Sequence, residues 1–129
     1  MEFPQDLRYT PRDEWLRLEG DEGTIGITDY AQDELGQLVH IELPALGAHF
    51  ERGDPFGMVK SATAVSNLYA PIRGQVIDRN DALMLTPETV NRSPYGAGWL
   101  IRVRVADQRE LDALMTAEAY RADLPSEPA

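Results

Sequence analysis

The sequence predicts a mainly β domain: a small sandwich or barrel of short strands with helices at its edges. Three observations carry that expectation. Alternating or β-branched segments recur along the chain. Glycine, proline and asparagine turn signals separate them roughly every 8–12 residues. The helical patterns are short and lie between strands or at the C-terminal end. The chain has 129 residues, enough to bury roughly two-thirds of its unfolded surface without staples. One domain over 1–124 is expected, with 125–129 as a disordered tail.

Trp15 to Glu19 alternates, Gly20-Asp21-Glu22-Gly23 turns, and Thr24 to Thr28 is β-branched at alternate positions, which together read as an antiparallel hairpin. Thr28 or Asp29 can cap a short helix from Tyr30 to Leu35, stopped by Gly36. Gln37 to Leu43 alternates, with Leu38, His40 and Glu42 on one side and Val39, Ile41 and Leu43 on the other. Phe56 to Val59 and Val65 to Tyr69 read as partner strands, and Gln75 to Asn80 as another. Asp81 to Leu85 and Pro87 to Val90 are short helical turns. Trp99 to Val105 is a strand, followed by helical segments over 107–115, capped by Asp107, and 117–124. The expected core includes Ile25, Ile27, Val39, Ile41, Val59, Val76 and Ile101.

With 22 acidic and 12 basic residues the net charge is -10. Such a field disfavours nucleic acid and anionic membrane as partners. No apolar run reaches membrane-spanning length, and the N-terminus reads as lacking a signal peptide, so a cytoplasmic protein is expected. Cysteine is absent, which excludes disulfides and thiolate chemistry. Eleven of the 12 basic residues are arginine. Chemistry that needs an amino group must use Lys60 or the N-terminus.

Catalytic and metal motifs are missing. His40 and His49 do not form a ligand-spaced pair, so no metal is expected. Gly96-Ala97-Gly98 lacks the third glycine and the helix of a dinucleotide fingerprint. No G-x-S-x-G elbow exists, and abundant carboxylates by themselves read as a solvated acidic face.

Three groups of motifs point further. Tyr9-Thr10 precedes Glu14-Trp15. Gly26-Ile27-Thr28-Asp29-Tyr30-Ala31-Gln32 is followed by Leu35-Gly36 and Glu42-Leu43-Pro44. Ala64-Val65-Ser66-Asn67-Leu68-Tyr69-Ala70-Pro71 is followed by Gly74, Val90-Asn91, Pro94-Tyr95-Gly96 and Gly98-Trp99. In order and spacing these motifs resemble the glycine cleavage H-protein family over about residues 8 to 124. The resemblance implies a lipoyl-type barrel-sandwich hybrid of antiparallel sheets with short peripheral and C-terminal helices. It also implies a carrier that is not itself an enzyme. That family bears lipoate on a lysine at a hairpin tip. The arm takes an aminomethyl group from glycine decarboxylase, passes it to the aminomethyltransferase, and is then reoxidised.

At the tip the sequence departs from the family. The family pattern V-E-S-V-K-A-V-S-D is met by Val59-Lys60-Ser61-Ala62-Thr63-Ala64-Val65-Ser66-Asn67. The resemblance aligns the lipoyl lysine with Thr63, whose hydroxyl cannot form the amide. It aligns a glutamate with Lys60, a valine with Ala62 and an amine-holding aspartate with Asn67, while the amine-binding Glu14 is kept. The histidine of the family's H-E-W becomes Asp13. Lys60 lies three residues before the tip position, roughly 10 Å along a strand, and its odd offset turns it to the opposite face. It reads as a solvated edge lysine, of the kind that guards a strand from pairing. Ala62-Thr63 is a poor type I′ turn by propensity.

The resemblance and its departures imply an H-protein-like binding, scaffold or regulatory paralogue without lipoate or other cofactor. Its partners would be glycine decarboxylase, the aminomethyltransferase or lipoate-handling enzymes. The alternative is a working lipoyl and aminomethyl carrier in which Thr63 is atypical or engineered, or Lys60 is modified. A third reading is an unrelated small-molecule binder on the same scaffold.

Overall fold

The structure, a computed structural model, describes residues 1–125. Among the described residues nine strands form two antiparallel sheets. The larger contains β1 (Arg8–Tyr9), β2 (Glu14–Glu19), β3 (Glu22–Ile27), β5 (His49–Phe50), β8 (Gly74–Arg79) and β9 (Ile101–Val105). Their order across the sheet is β1-β2-β3-β9-β8-β5. The smaller has β6 (Pro55–Ser61) between β4 (Leu38–Glu42) and β7 (Val65–Tyr69). The short helices are α1 (Asp29–Leu35), α2 (Thr89–Arg92) and α3 (Ala117–Asp123), with 3₁₀ turns at Asp81–Met84 and Gln108–Ala113.

The apolar faces of the two sheets close on one core that includes Leu16, Ile25, Ile27, Ile41, Val59, Leu68, Val76 and Ile101. Side chains that alternate along a strand must bury one face, and the stacking of two such faces removes both from water. A second cluster of Leu7, Tyr9, Trp15, Ala117 and Tyr120 packs α3 against the start of the larger sheet. Gly26 sits directly across from Trp15, where an added Cβ would lie 2.6 Å from the indole. The indole N–H is shared between the carbonyls of Ile27 and Pro94, both at 3.0 Å.

Local rules set the ends of α1. The Thr28 hydroxyl accepts from Ala31 N–H at the N-terminus, and Gly36, at φ 82°, donates its N–H to the Gln32 carbonyl. Of the helical segment expected over 107–115, only Gln108–Ala113 is helical, as a 3₁₀ turn, with Asp107 accepting from Arg109 N–H as expected of the cap. β1 and β5, two residues each, are too short to leave an alternation in the sequence.

Two expectations are corrected. Val39 is not core: it is 56% exposed, while Leu38 is buried. The pairing of β4 with β6 shifts register between Leu38 and His40, and a bulge of this kind resets which side each following residue takes. Lys60 is exposed but guards no edge, because β6 is the middle strand and Lys60 is in register with both His40 and Val65. Of the expected tail over 125–129, Pro125 is exposed, and 126–129 lie outside the described residues.

Candidate functional site

The β6–β7 hairpin ends in an exposed pair, Ala62 and Thr63, with Ala64 half-buried behind them. Lys60 pairs with Val65, and Ser61 N–H donates to the Ala64 carbonyl at 2.9 Å. No residue of the tip has positive φ; among the described non-glycine residues only Asp13 does. The turn is therefore not of the I′ type. The buried Ser61 hydroxyl oxygen closes it, accepting from Thr63 N–H at 3.4 Å and Ala64 N–H at 3.1 Å. A serine side chain thus replaces the backbone geometry that Ala62-Thr63 cannot readily adopt.

Asn67 lies four residues beyond Thr63 on β7, about 13 Å along an extended strand. It lines a cleft of about 170 Å³ together with Asp13, Glu14, Glu34 and the cationic Arg12. Ile27, Ala31, Leu35, Val59 and Leu68 supply apolar walls. Three carboxyl groups against one guanidinium, over an apolar floor, leave the cleft suited to a small cationic group on an apolar stem.

Glu14 opens β2 and is 1% exposed. Thr10 Oγ1 donates to one of its oxygens at 2.7 Å and Tyr69 N–H to the other at 3.2 Å. Burial pushes its pKa up to about 7, against the pull of those two hydrogen bonds. Asp13, at φ 73°, adopts the left-handed conformation that aspartate tolerates. Its carbonyl accepts from Thr28 N–H at 2.9 Å, and its carboxylate accepts from the Tyr120 hydroxyl at 2.7 Å. Burial raises the Asp13 pKa first, and the Tyr120 bond opposes that rise. Among the described residues no group of three or more histidines and carboxylates is placed to hold a metal ion.

The structure thus brings Glu14 and Asn67 into one cleft and puts Thr63 at the hairpin apex. Sequence reasoning missed the partners of Glu14, namely Thr10 and Tyr69. The T-x-x-x-E spacing across a turn at Asp13 was the available signal for Thr10. Nothing local marked Tyr120 as the partner of Asp13.

Two antiparallel sheets with a projecting hairpin and short peripheral helices define a lipoyl-type barrel-sandwich hybrid. The crystal structure of a glycine cleavage system H protein from Mycobacterium marinum superposes with a TM-score of 0.83 at 36% identity, covering 93% of this chain and 97% of that one. The glycine cleavage system H protein of Geobacillus kaustophilus is 52% identical over 122 residues, 95% of this chain and 96% of that protein. That of Anaeromyxobacter sp. (strain K) is 50% identical over 122 residues, covering 95% of each. Residues 7–127 match the pattern of the glycine cleavage H-protein family, and the chain belongs to that family. H proteins are lipoyl carriers without independent catalytic activity. Among the described residues no helix is long and apolar enough to cross a membrane.

Proposed function

We propose that this chain is an H-protein-like binding, scaffold or regulatory paralogue that carries no lipoate on its hairpin. It works as one unit over 1–124, in the cytoplasm. Its partners are glycine decarboxylase, the aminomethyltransferase or a lipoate-handling enzyme. The observation that carries this reading is Thr63, exposed at the apex where family resemblance aligns the lipoyl lysine. Lipoate is held through an amide to an amine, and a threonine hydroxyl offers none, so the residues of this tip do not fit the group. Lys60 is the only lysine. It stands in the middle strand, three positions short of the apex, where an enzyme that reads a hairpin tip meets Thr63 instead. The intact sheets and the retained Glu14 support a surface that still docks.

The test is intact-mass and peptide-mass measurement after expression with lipoate and its ligase, beside a lysine-bearing H protein in the same mixture. The expected result is modification of the lysine-bearing protein alone. A lipoyl increment on Lys60 would establish the rival reading, a working carrier. For docking, an excess of this chain should slow glycine exchange by glycine decarboxylase with a lipoylated H protein. An unchanged rate would remove the docking part of the proposal.

A further inference from the structure

Arg12 and Glu14 are shared between the cleft of Asn67 and a second cleft of about 380 Å³. Pro11 and Arg12 come from the turn before β2, Arg52 from the turn before β6, Tyr69 and Pro71 from the end of β7, and Leu114 from the end of the last 3₁₀ turn. We propose that this second cleft binds a small amphipathic carboxylate, its head held by Arg12 and Arg52 and its apolar body laid against Tyr69, Pro71 and Leu114.

Arg73, Arg79, Arg102, Arg104 and Arg109 each sit within ion-pair distance of a carboxylate. Among the described residues Arg12 and Arg52 are in no such pair, and neither are Arg8, Arg17, Arg92 and Arg121. What sets Arg12 and Arg52 apart is that both line one concavity of a strongly acidic protein, where the charge of Arg12 also pulls the Glu14 pKa down against its burial. Arg12 lies over the Tyr69 ring, 4.0 Å from its centroid, a contact that fixes the guanidinium plane and leaves its N–H groups to bind. Planar guanidinium groups match carboxylate oxygens in pairs. The carboxyl group of Glu14 is buried, and both its oxygens are engaged by Thr10 and Tyr69.

The walls of the cleft are already in place. Gly53 N–H donates to the Ala70 carbonyl and Ala70 N–H to the Asp54 carbonyl, both at 2.8 Å. Next to Leu114, Met115 and Tyr9 exchange two backbone bonds of 2.8 Å. Binding then orders little backbone, so little affinity is lost to it. The volume falls in the range of small-ligand sites, and the apolar wall favours a single charged head with a hydrocarbon body. This site does not depend on whether the hairpin carries lipoate.

The experiment is a titration of the full chain with hexanoate, followed by backbone amide chemical shifts, with hexanamide as the neutral isostere. The amides of Gly53, Ala70 and Leu114 should shift saturably with hexanoate. Hexanamide should bind about tenfold more weakly or worse, because it forfeits charge-assisted bonds. The double change Arg12→Gln with Arg52→Gln should weaken hexanoate to the same extent, while Arg92→Gln, outside the cleft, should not. Should the double variant fold poorly, Arg52→Gln alone, on an exposed turn, carries the comparison. Equal binding of hexanamide, affinity unchanged in the arginine variants, or shifts confined to Glu34, Leu35 and Asn67 would overturn the proposal.

Discussion

Asp13 and Tyr120, 107 residues apart in sequence, are joined by a 2.7 Å hydrogen bond from the tyrosine hydroxyl to the carboxylate. The Tyr120 hydroxyl also lies 2.8 Å from Thr28 Oγ1, the atom that caps α1 by accepting from Ala31 N–H. One phenol thus ties α3 to the turn before β2 and to the start of α1. Thr28 donates to Tyr120 and Tyr120 donates to Asp13, so every proton in the chain has an acceptor.

Tyr120→Phe should therefore cost more than the loss of one exposed hydrogen bond. It leaves the part-buried Asp13 carboxylate without its side-chain donor, a loss of about 1–3 kcal/mol. It also lets the Asp13 pKa rise further, since the tyrosine bond was holding it down. Urea unfolding should show a larger deficit at pH 7 than at acid pH. A deficit independent of pH would mean that the ring's packing, rather than its hydroxyl, is what matters.

Glu14 makes a signed prediction. Its folded pKa is about 7, against an ordinary 4.5. Between those values the folded state binds more protons than the unfolded one, so stability falls as pH rises through this window and levels off above it. The span is about 3 kcal/mol at 1.36 kcal/mol per pKa unit. Glu14→Gln removes the titration and should flatten most of the slope. It also offsets the whole curve, because both carboxylate oxygens accept hydrogen bonds here and an amide has only one oxygen to do so. The residual slope of the same sign comes from Asp13. Urea midpoints of both proteins at pH 5 and pH 7.5 decide it; identical slopes would clear Glu14 of the effect.

Ile27 and Val39 separate what the sequence states from what pairing adds. Ile27 is 2% exposed on β3, and Ile27→Ala should cost about 2–5 kcal/mol. Val39→Ala, on the solvent side of the β4 bulge, should change stability by about 0.5 kcal/mol or less. Thermal or urea melts of the two variants test the burial assignment directly. A costly Val39→Ala would return that residue to the core.

Those two residues also mark the limit of reading this chain from its letters. The hairpin around Gly20 to Gly23, the Thr28 cap and the Gly36 stop were legible because each is a local preference. The position of Val39 was not, because a bulge belongs to the pairing of two strands and leaves no trace in one of them. Thr63 at the tip was legible only through family resemblance, since Ala62-Thr63 argues against a tight turn and the Ser61 hydroxyl that closes it acts across the loop. Glu14 could be named in the same way, but its raised pKa depends on burial, which the hydrogen bond from Tyr69 N–H, 55 residues away, only opposes. The cleft of Arg12 and Arg52 joins four separate segments and had no sequence signature.

The last prediction concerns rescue of the hairpin. Thr63→Lys puts an amine at the apex but leaves Lys60 where the family resemblance aligns a glutamate. The two ammonium groups would stand about 10 Å apart, near one Debye length at 0.1 M salt. Both are at exposed positions, so their repulsion is small and folding should be unaffected. Recognition is more sensitive. An attachment enzyme that reads the family's glutamate meets a reversed charge in the middle strand, presented between His40 and Val65. Thr63→Lys alone should therefore be lipoylated slowly, and Thr63→Lys with Lys60→Glu faster. Aminomethyl transfer asks for one thing more. Asn67 lines the same cleft as Glu14, and its amide cannot balance an ammonium group as a carboxylate does, so addition of Asn67→Asp should raise glycine exchange again. Lipoylation time courses on the single, double and triple variants, followed by exchange with glycine decarboxylase, test each step. If the single variant matches the triple in both assays, Lys60 and Asn67 are neutral, and Thr63 alone separates this chain from a carrier.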